Sequence, residues 1–376
     1  MKTLFIVISC MMLDSSLHAQ FPAYKKSDTL HAIMKKYTVS GVPGVAVAIY
    51  SEKDGWWAGA EGYARIEDKT PMANHHLQYL QSVSKTYMAV AILKLYEQGK
   101  IQLDSPITKY LPEKYAGSVK HAGRITVRML LNHTSGIAEY SDDPVFVAFL
   151  LEHPLQRFDI SEILKTIKDK ELLFTPGSRH AYSNTNYELL ALMADSLTGN
   201  HADFISKTIF QPLDLKHSFY RNDPAYLNYP QLVNSYWDVL NTGKPANISA
   251  MQKVNVSSFI GDDGIVCTTT DAVKFLKGLV EGKLLSASTL AEMETWVNDG
   301  EGNPIYGLGL VHYAAGGMTG YGHSGAGIGA GCMLIYVPEK KTYIFMATNI
   351  GTLFPGLLPE KVNQMKDEIL ATVLFQ

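Results

Sequence analysis

Ser82-Val-Ser-Lys85 is the segment of this sequence best suited to covalent chemistry. It lies where a strand-like run, residues 77–80, gives way to a strong helical pattern over 84–98. Residues three apart on a helix share a face, so Lys85 Nζ can lie near Ser82 Oγ. A serine hydroxyl is a weak nucleophile until a neighbouring base accepts its proton. A lysine desolvated in a pocket, with its pKa lowered, can be that base. A helix start also offers unpaired backbone N–H groups to an oxyanion. Ser82 is the only serine with a lysine three residues on. The spacing also fits a capping serine beside a solvated lysine, so the reading needs further partners.

Two other segments supply them. Tyr182-Ser-Asn184 follows Thr175-Pro-Gly177 and precedes a helical stretch, which places it on a loop held at both sides. A phenol beside an ammonium can accept and return a proton, because the positive charge favours the phenolate. The Asn184 amide can hold a substrate carbonyl and orient the lysine. Tyr226-Leu-Asn228 repeats the spacing, but in a proline-bracketed loop with no helix after it. The bland alternative for Tyr182 is a buried ring with its hydroxyl satisfied.

The third segment, Tyr321-Gly-His-Ser-Gly-Ala-Gly-Ile-Gly329, is dense in glycine and runs into a strand. Gly325 lets backbone approach a ligand closely. An edge strand here can pair with an extended substrate. The Ala326 N–H can complete an oxyanion hole, and His323 and Ser324 can bind a substrate carboxylate. A flexible glycine turn with a surface histidine is the competing reading.

The elements that position these groups follow from periodicity. Leu30, Ile33, Met34 and Tyr37 have helical spacing, with Asp28 as a possible cap. Residues 45–50 read as a buried strand and 56–64 as its neighbour. Helices are expected over 84–98, 127–132, 144–152, 160–168, 187–197, 270–281 and 288–297. Strands over 331–337 and 342–349 flank Pro338-Glu-Lys-Lys341 as a hairpin, and a helix over 362–374 ends the chain. Strands at both ends and helices between them predict an α/β (α+β) architecture: one sheet built from both termini with a helical region inserted.

Composition narrows the partners. Of 376 residues 46% are hydrophobic, enough for one large domain or two intimate ones. A net charge of -3 lacks the basic excess that a nucleic-acid surface normally needs, so no nucleic-acid partner is expected. Met1-Lys2, the apolar stretch 4–12 and Leu17-His-Ala19 read as a cleaved export signal, residues 1–19, too short for a membrane span. Lipid attachment at Cys10 is the alternative. No later segment reaches membrane-spanning length. Cys267 and Cys332 remain after cleavage and read as buried free thiols. Without Cys-x-x-Cys or His-Glu-x-x-His, no metal or cofactor is expected.

Ser82-x-x-Lys85, Tyr182-x-Asn184 and His323-Ser-Gly325, in this order, resemble the motifs of the serine beta-lactamase and D-alanyl-D-alanine carboxypeptidase superfamily. The branch is that of class C beta-lactamases, penicillin-recognising peptidases and related esterases. Leu130-Leu-Asn-His-Thr-Ser-Gly136, Phe174-Thr-Pro-Gly177, Pro212-Leu213 and Gly261-Asp-Asp-Gly264 resemble it too, as does the run from Glu97 to Asp104. The resemblance implies a beta-lactamase/transpeptidase-like fold: an antiparallel sheet flanked by helices, plus an all-helical subdomain, with the site between. It implies one hydrolase domain over 20–376, with its sheet region at about 20–80 and 260–376 and the helical subdomain at about 83–255.

The implied roles are residue by residue. Ser82 is acylated; Lys85 and Tyr182 exchange the proton, with the base left open between them. Asn184 touches the substrate amide, and the Ser82 and Ala326 N–H groups form the oxyanion hole. His323-Ser324-Gly325 stands where many relatives have Lys-Thr-Gly, and no arginine follows Arg221. The histidine leans toward the peptidase, amidase and esterase members. The expected protein is a periplasmic D-Ala-D-Ala carboxypeptidase or D-amino-acid amidase acting on a small-molecule or peptide substrate. An esterase, a beta-lactamase and an inactive penicillin-binding sensor are the alternatives.

Overall fold

Val45, Val47 and Ile49 are buried, and so are the alternate residues Ala46 and Ala48. A strand covered on both faces shows such continuous burial. The computed structural model, which describes residues 24–220, 229–254 and 258–376, shows how both faces are covered. The expected export signal, Cys10 and the Tyr226-Leu-Asn228 loop lie outside the described residues.

In chain order the strands are β1 (Gly44–Ser51), β2 (Gly55–Arg65), β3 (Thr70–Pro71), β4 (Gln78–Tyr79), β5 (Ser218–Tyr220), β6 (Tyr236–Trp237) and β7 (Ala246–Asn247). They continue as β8 (Ile265–Cys267), β9 (Val297–Asn298), β10 (Pro304–Tyr306), β11 (Val311–Ala315), β12 (Met318–Ala326), β13 (Gly331–Val337) and β14 (Thr342–Thr348). The helices begin with α1 (Ser27–Val39), α2 (Ser84–Glu97), α3 (Val127–Leu131), α4 (Pro144–Glu152), α5 (Ile160–Ile167) and α6 (Asn184–Thr198). They end with α7 (His201–Ile205), α8 (Ser249–Val254), α9 (Thr269–Val280), α10 (Ala287–Met293) and α11 (Leu357–Phe375).

Among the described residues, nine strands form one antiparallel sheet in the order β3-β2-β1-β14-β13-β12-β11-β10-β9. The two ends of the chain meet at β1–β14, in unbroken register from Val45–Thr348 to Ser51–Thr342. On one face, Leu30, Met34, Val362 and Met365 of α1 and α11 pack on Val45, Val47, Ile344 and Met346. The larger core joins Ala48 and Phe345 to Tyr87, Leu190 and Phe275 of α2, α6 and α9. The mixed α/β architecture with a large antiparallel sheet and flanking helices is thus the one the sequence led us to expect. No described helix is long and apolar enough to cross a membrane. Cys267 and Cys332 are buried free thiols.

A small sheet, β4-β8-β5, sets the corner that carries Ser82. Tyr79 pairs with Val266, and the Leu80 N–H donates to the Ile265 carbonyl at 3.1 Å. Gln81 then takes a φ of 47°, a left-handed conformation that costs a non-glycine residue energy. It swings the chain into the 3-10 turn Gln81–Val83 at the head of α2, with Ser82 on the turn.

Several boundaries differ from the periodic reading. Asp28 lies inside the first turn of α1; the cap position is Lys26. Residues 288–297 split, because Val297–Asn298 pairs with β10, a partner that local periodicity cannot foresee. Asn184 opens α6 instead of lying on the loop. The glycine-rich run belongs to a strand, β12. At Gly322 a Cβ would stand 2.1 Å from the Leu334 carbonyl oxygen, so only glycine lets β13 come this close.

Candidate active site

Lys85 is fully buried. Its Nζ donates to Ser82 Oγ at 2.9 Å and to the Asp262 carbonyl oxygen at 2.8 Å. The Tyr182 hydroxyl lies close enough to Lys85 and Ser82 for both to draw its pKa down. The ammonium lies 5.2 Å from the Tyr182 ring centre. Ser82, Lys85 and Tyr182 therefore meet at one point, although 97 residues of chain separate the lysine from the tyrosine. Tyr182 is 39% exposed as a residue, while its hydroxyl is desolvated beside Lys85 and Ser82.

The electrostatics correct one expectation. Burial by itself lowers the Lys85 amine, but Tyr182 and Asp262 outweigh it and hold the group above its ordinary value. Lys85 is thus an ammonium in the resting site, not the lysine of lowered pKa that the sequence suggested. Burial pushes the Tyr182 phenol up, and the charge of Lys85 draws it only partly back.

The loop before α6 is held by the His-Thr-Ser-Gly stretch. The His133 carbonyl accepts the Ala181 N–H at 2.9 Å, and His133 Nδ1 accepts the Ser183 N–H at 3.2 Å. Asn186 Nδ2 lies 3.1 Å from the same nitrogen. The His133 ring centre is 4.2 Å from that of Tyr182. Ring packing and three hydrogen-bonding contacts thus aim the phenol. Asn184 is engaged differently from expectation: its amide Nδ2 donates to Glu139 Oε1 at 3.1 Å and its backbone N–H donates to Glu139 Oε2. Lys85 is oriented instead by Ser82 and the Asp262 carbonyl.

On β12, burial alternates: His323 and Gly325 face inward, Ser324 and Ala326 outward. His323 is therefore no carboxylate clamp. It is 2% exposed, with Nε2 at 2.9 Å from the Tyr306 hydroxyl and Nδ1 at 2.6 Å from the Ser324 carbonyl oxygen. A carbonyl only accepts, so Nδ1 carries the proton and Nε2 accepts from Tyr306. Burial, aided by the charge of Lys85, lowers the imidazole to about 3 and keeps it neutral. Strand β11 pairs with β12 only as far as Gly322, so among the described residues 323–326 pair with β13 alone. Gly325 packs so tightly that a Cβ would lie 2.5 Å from the Leu80 carbonyl oxygen, next to the turn that carries Ser82.

The buried imidazoles have a consequence for stability. His133 and His323 are both held well below the ordinary value of 6.5, chiefly by burial. Below pH 6.5 the unfolded chain binds protons that the folded chain refuses, so stability is lost as pH falls from 6.5 toward about 3. Over that interval the urea midpoint of a His323→Gln variant should fall less than that of the wild type. Equal slopes would show that the ring is not kept neutral.

Sequence reasoning passed over four functional neighbours. His133 and Asp262 lay inside stretches already noted as family-like, so a signal existed. Glu139 and Tyr306 carry no spacing signal; only the folded chain brings them to Asn184 and His323.

A hydroxyl, an amine and a phenol in mutual hydrogen-bonding reach, beside a strand with a free edge, define a serine hydrolase. A profile described as Beta-lactamase matches residues 30–358, and the chain belongs to that family. A penicillin-binding protein of Bacillus subtilis (strain 168) is 29% identical over 303 residues, 76% of this chain. The match spans 64% of that relative, less than two-thirds of its length. A solved D-stereospecific amidohydrolase from a Streptomyces species is 25% identical, with a TM-score of 0.77, covering 94% of this chain and 100% of that one. The D-amino acid amidase of Ochrobactrum anthropi SV3, solved with L-phenylalanine amide, shares the fold: TM-score 0.79, 24% identity, 93% and 98% covered.

Proposed function

We propose that this chain hydrolyses D-amino-acid amides, or short D-peptides with a free amine, through an acyl-enzyme on Ser82. The observation that carries the choice of substrate is the inward, neutral His323. A carboxypeptidase must grip a terminal carboxylate, and the outward groups here are the Ser324 hydroxyl and the β12 backbone. At the other end, the carboxylate of Glu139 borders Asn184 and suits an ammonium. The likeness to a D-stereospecific amidohydrolase supports the same reading.

In this mechanism Ser82 Oγ attacks the amide carbon. Its proton passes to the Tyr182 oxygen, which the Lys85 ammonium makes a better phenolate. The N–H groups of Ser82 and Ala326 receive the oxyanion. Tyr182 returns the proton to the leaving amine, and the C–N bond breaks. Water then attacks the acyl-enzyme, giving its proton to the same oxygen, and the acid leaves as Ser82 regains its hydrogen. Asn184 holds the substrate carbonyl side. No cofactor is called for.

Kinetics on three substrates test the proposal: a D-amino-acid p-nitroanilide, its N-acetyl form and an acyl-D-Ala-D-Ala peptide. The first should lead the peptide in kcat/KM by about tenfold or more, equivalent to about 1.4 kcal/mol in the barrier. Preference for the peptide with its free carboxylate would reverse the assignment. For the chain as a whole we retain residues 1–19 as an export signal and 20–376 as the hydrolase unit, which implies a periplasmic site of action. Amino-terminal sequencing of the exported protein checks both.

A further inference from the structure

Beneath the active site lies an acid pair that the proton path leaves unused. Glu188, on α6, is fully buried, and Asp262 is 6% exposed. The Glu188 carboxyl accepts the backbone N–H groups of Ile260 at 3.1 Å, Gly261 at 3.3 Å and Asp262 at 3.4 Å. Three successive amides converge on one carboxyl and pin segment 260–262 to α6. The segment has little room to shift, since a Cβ on Gly261 would stand 1.9 Å from the Tyr187 carbonyl oxygen. This pinned segment carries the carbonyl that receives Lys85.

The Asp262 side chain is incompletely satisfied. Its Oδ2 accepts from the Tyr140 hydroxyl at 2.7 Å, but Oδ1 is buried with no donor among the described residues. A buried carboxylate oxygen without a donor is costly. The neighbouring group is the Glu188 carboxyl, whose Oε1 accepts the Asp262 N–H at 3.4 Å. Two adjoining buried carboxylates do not both stay ionised. A proton on Glu188 removes the like charge and supplies the missing donor together. Burial and the charge of Asp262 raise Glu188 well above its ordinary value, in agreement with the geometry.

We propose that Glu188 is protonated in the working enzyme and donates to Asp262 Oδ1, so that the two acids carry one negative charge and hold the Asp262 carbonyl against the Lys85 ammonium. Glu188 is a positioning residue: it acts through segment 260–262 and touches no substrate. Its link to rate rests on the Ser82–Lys85 reading; the proton itself does not. Among the described residues the charged and titratable groups that interact with the pair are Tyr140, Lys85 from α2 and Tyr182, and of these Lys85 is the cation; Glu139 acts on Tyr140 and Asp263 on Lys85.

The sign of the pH effect follows. A glutamic acid with a raised folded pKa contributes stability that is full below its ordinary value of 4.5 and is lost as pH rises toward the folded value. Glu188→Gln has no proton to lose, so this decline should vanish. Infrared spectra at neutral pH should show the C=O stretch of a protonated carboxyl in the wild type and not in Glu188→Gln. Glu188→Ala should lower kcat on the order of a hundredfold by freeing the segment under Lys85. Glu188→Gln should restore most of that loss, since an amide accepts and donates as the neutral acid does.

If Glu188→Ala does not fold, the glutamine variant and the spectra still decide. Absence of the carboxyl band in the wild type, or a glutamine variant as damaged as the alanine one, would overturn the proposal. Should Ser82 not be the nucleophile, the infrared and pH–stability results would still report on the shared proton, so the two failures can be told apart.

Discussion

Replacing Ser82 by alanine is expected to abolish acyl-enzyme formation and lower turnover on the order of a millionfold, the scale of losing a covalent nucleophile. The fold should survive. Ser82 is only half-buried, and the turn Gln81–Val83 is set by backbone: the Val83 N–H donates to the Leu80 carbonyl at 3.0 Å. Without the hydroxyl, Lys85 still has the Asp262 carbonyl at 2.8 Å. The measurement is intact-protein mass after exposure to a fluorescent penicillin or a D-amino-acid ester. The wild type should carry one adduct, mapped to the peptide containing Ser82. A Ser82→Ala protein that is labelled at the wild-type rate would move the chemistry to another residue.

Lys85→Ala and Tyr182→Phe should each cost about a hundredfold or more in rate, for different reasons. Tyr182→Phe leaves the ring against His133, 4.2 Å between centres, and removes only the oxygen that handles the proton. Its loss should fall on kcat. Lys85→Ala removes a fully buried ammonium and leaves the Asp262 carbonyl without its donor, so stability should fall along with rate. The pH profile separates the roles. The proposed path needs the phenolate, and burial raises the Tyr182 phenol, so on that path the wild-type rate should climb with pH above neutrality. That limb should be absent in Tyr182→Phe. Near-normal turnover in both variants would refute the proton path through Tyr182 and Lys85.

Much of the architecture was legible because it is local. The spacing of Leu30, Met34 and Tyr37 marked α1, and the apolar runs at 331–337 and 342–349 marked β13 and β14, the latter ending one residue earlier at Thr348. Elements whose identity depends on a distant partner were less visible. Val297–Asn298 became strand because β10 lies beside it, and the short strand β11 gave no periodic signal of its own. The same division runs through the site. Ser82 and Lys85 are three residues apart at a helix start, so their meeting was a local inference. Tyr182 was proposed from the chemistry a phenol can do beside an ammonium, and the resemblance of motifs, not any local spacing, joined it to them.

The sequence by itself determined which groups are available and which neighbours along one turn of helix or strand share a face. Tertiary structure alone decided their protonation and direction. Lys85 became an ammonium because a carbonyl and acidic groups from distant segments surround it. His323 became a neutral core residue because β12 turns it toward Tyr306, and Ser324 took the outward place. Glu139 and Glu188 acquired partners that no spacing announces. The reason is physical: covalent geometry acts over a few residues, whereas desolvation and charge act through space and sum over everything the fold brings near.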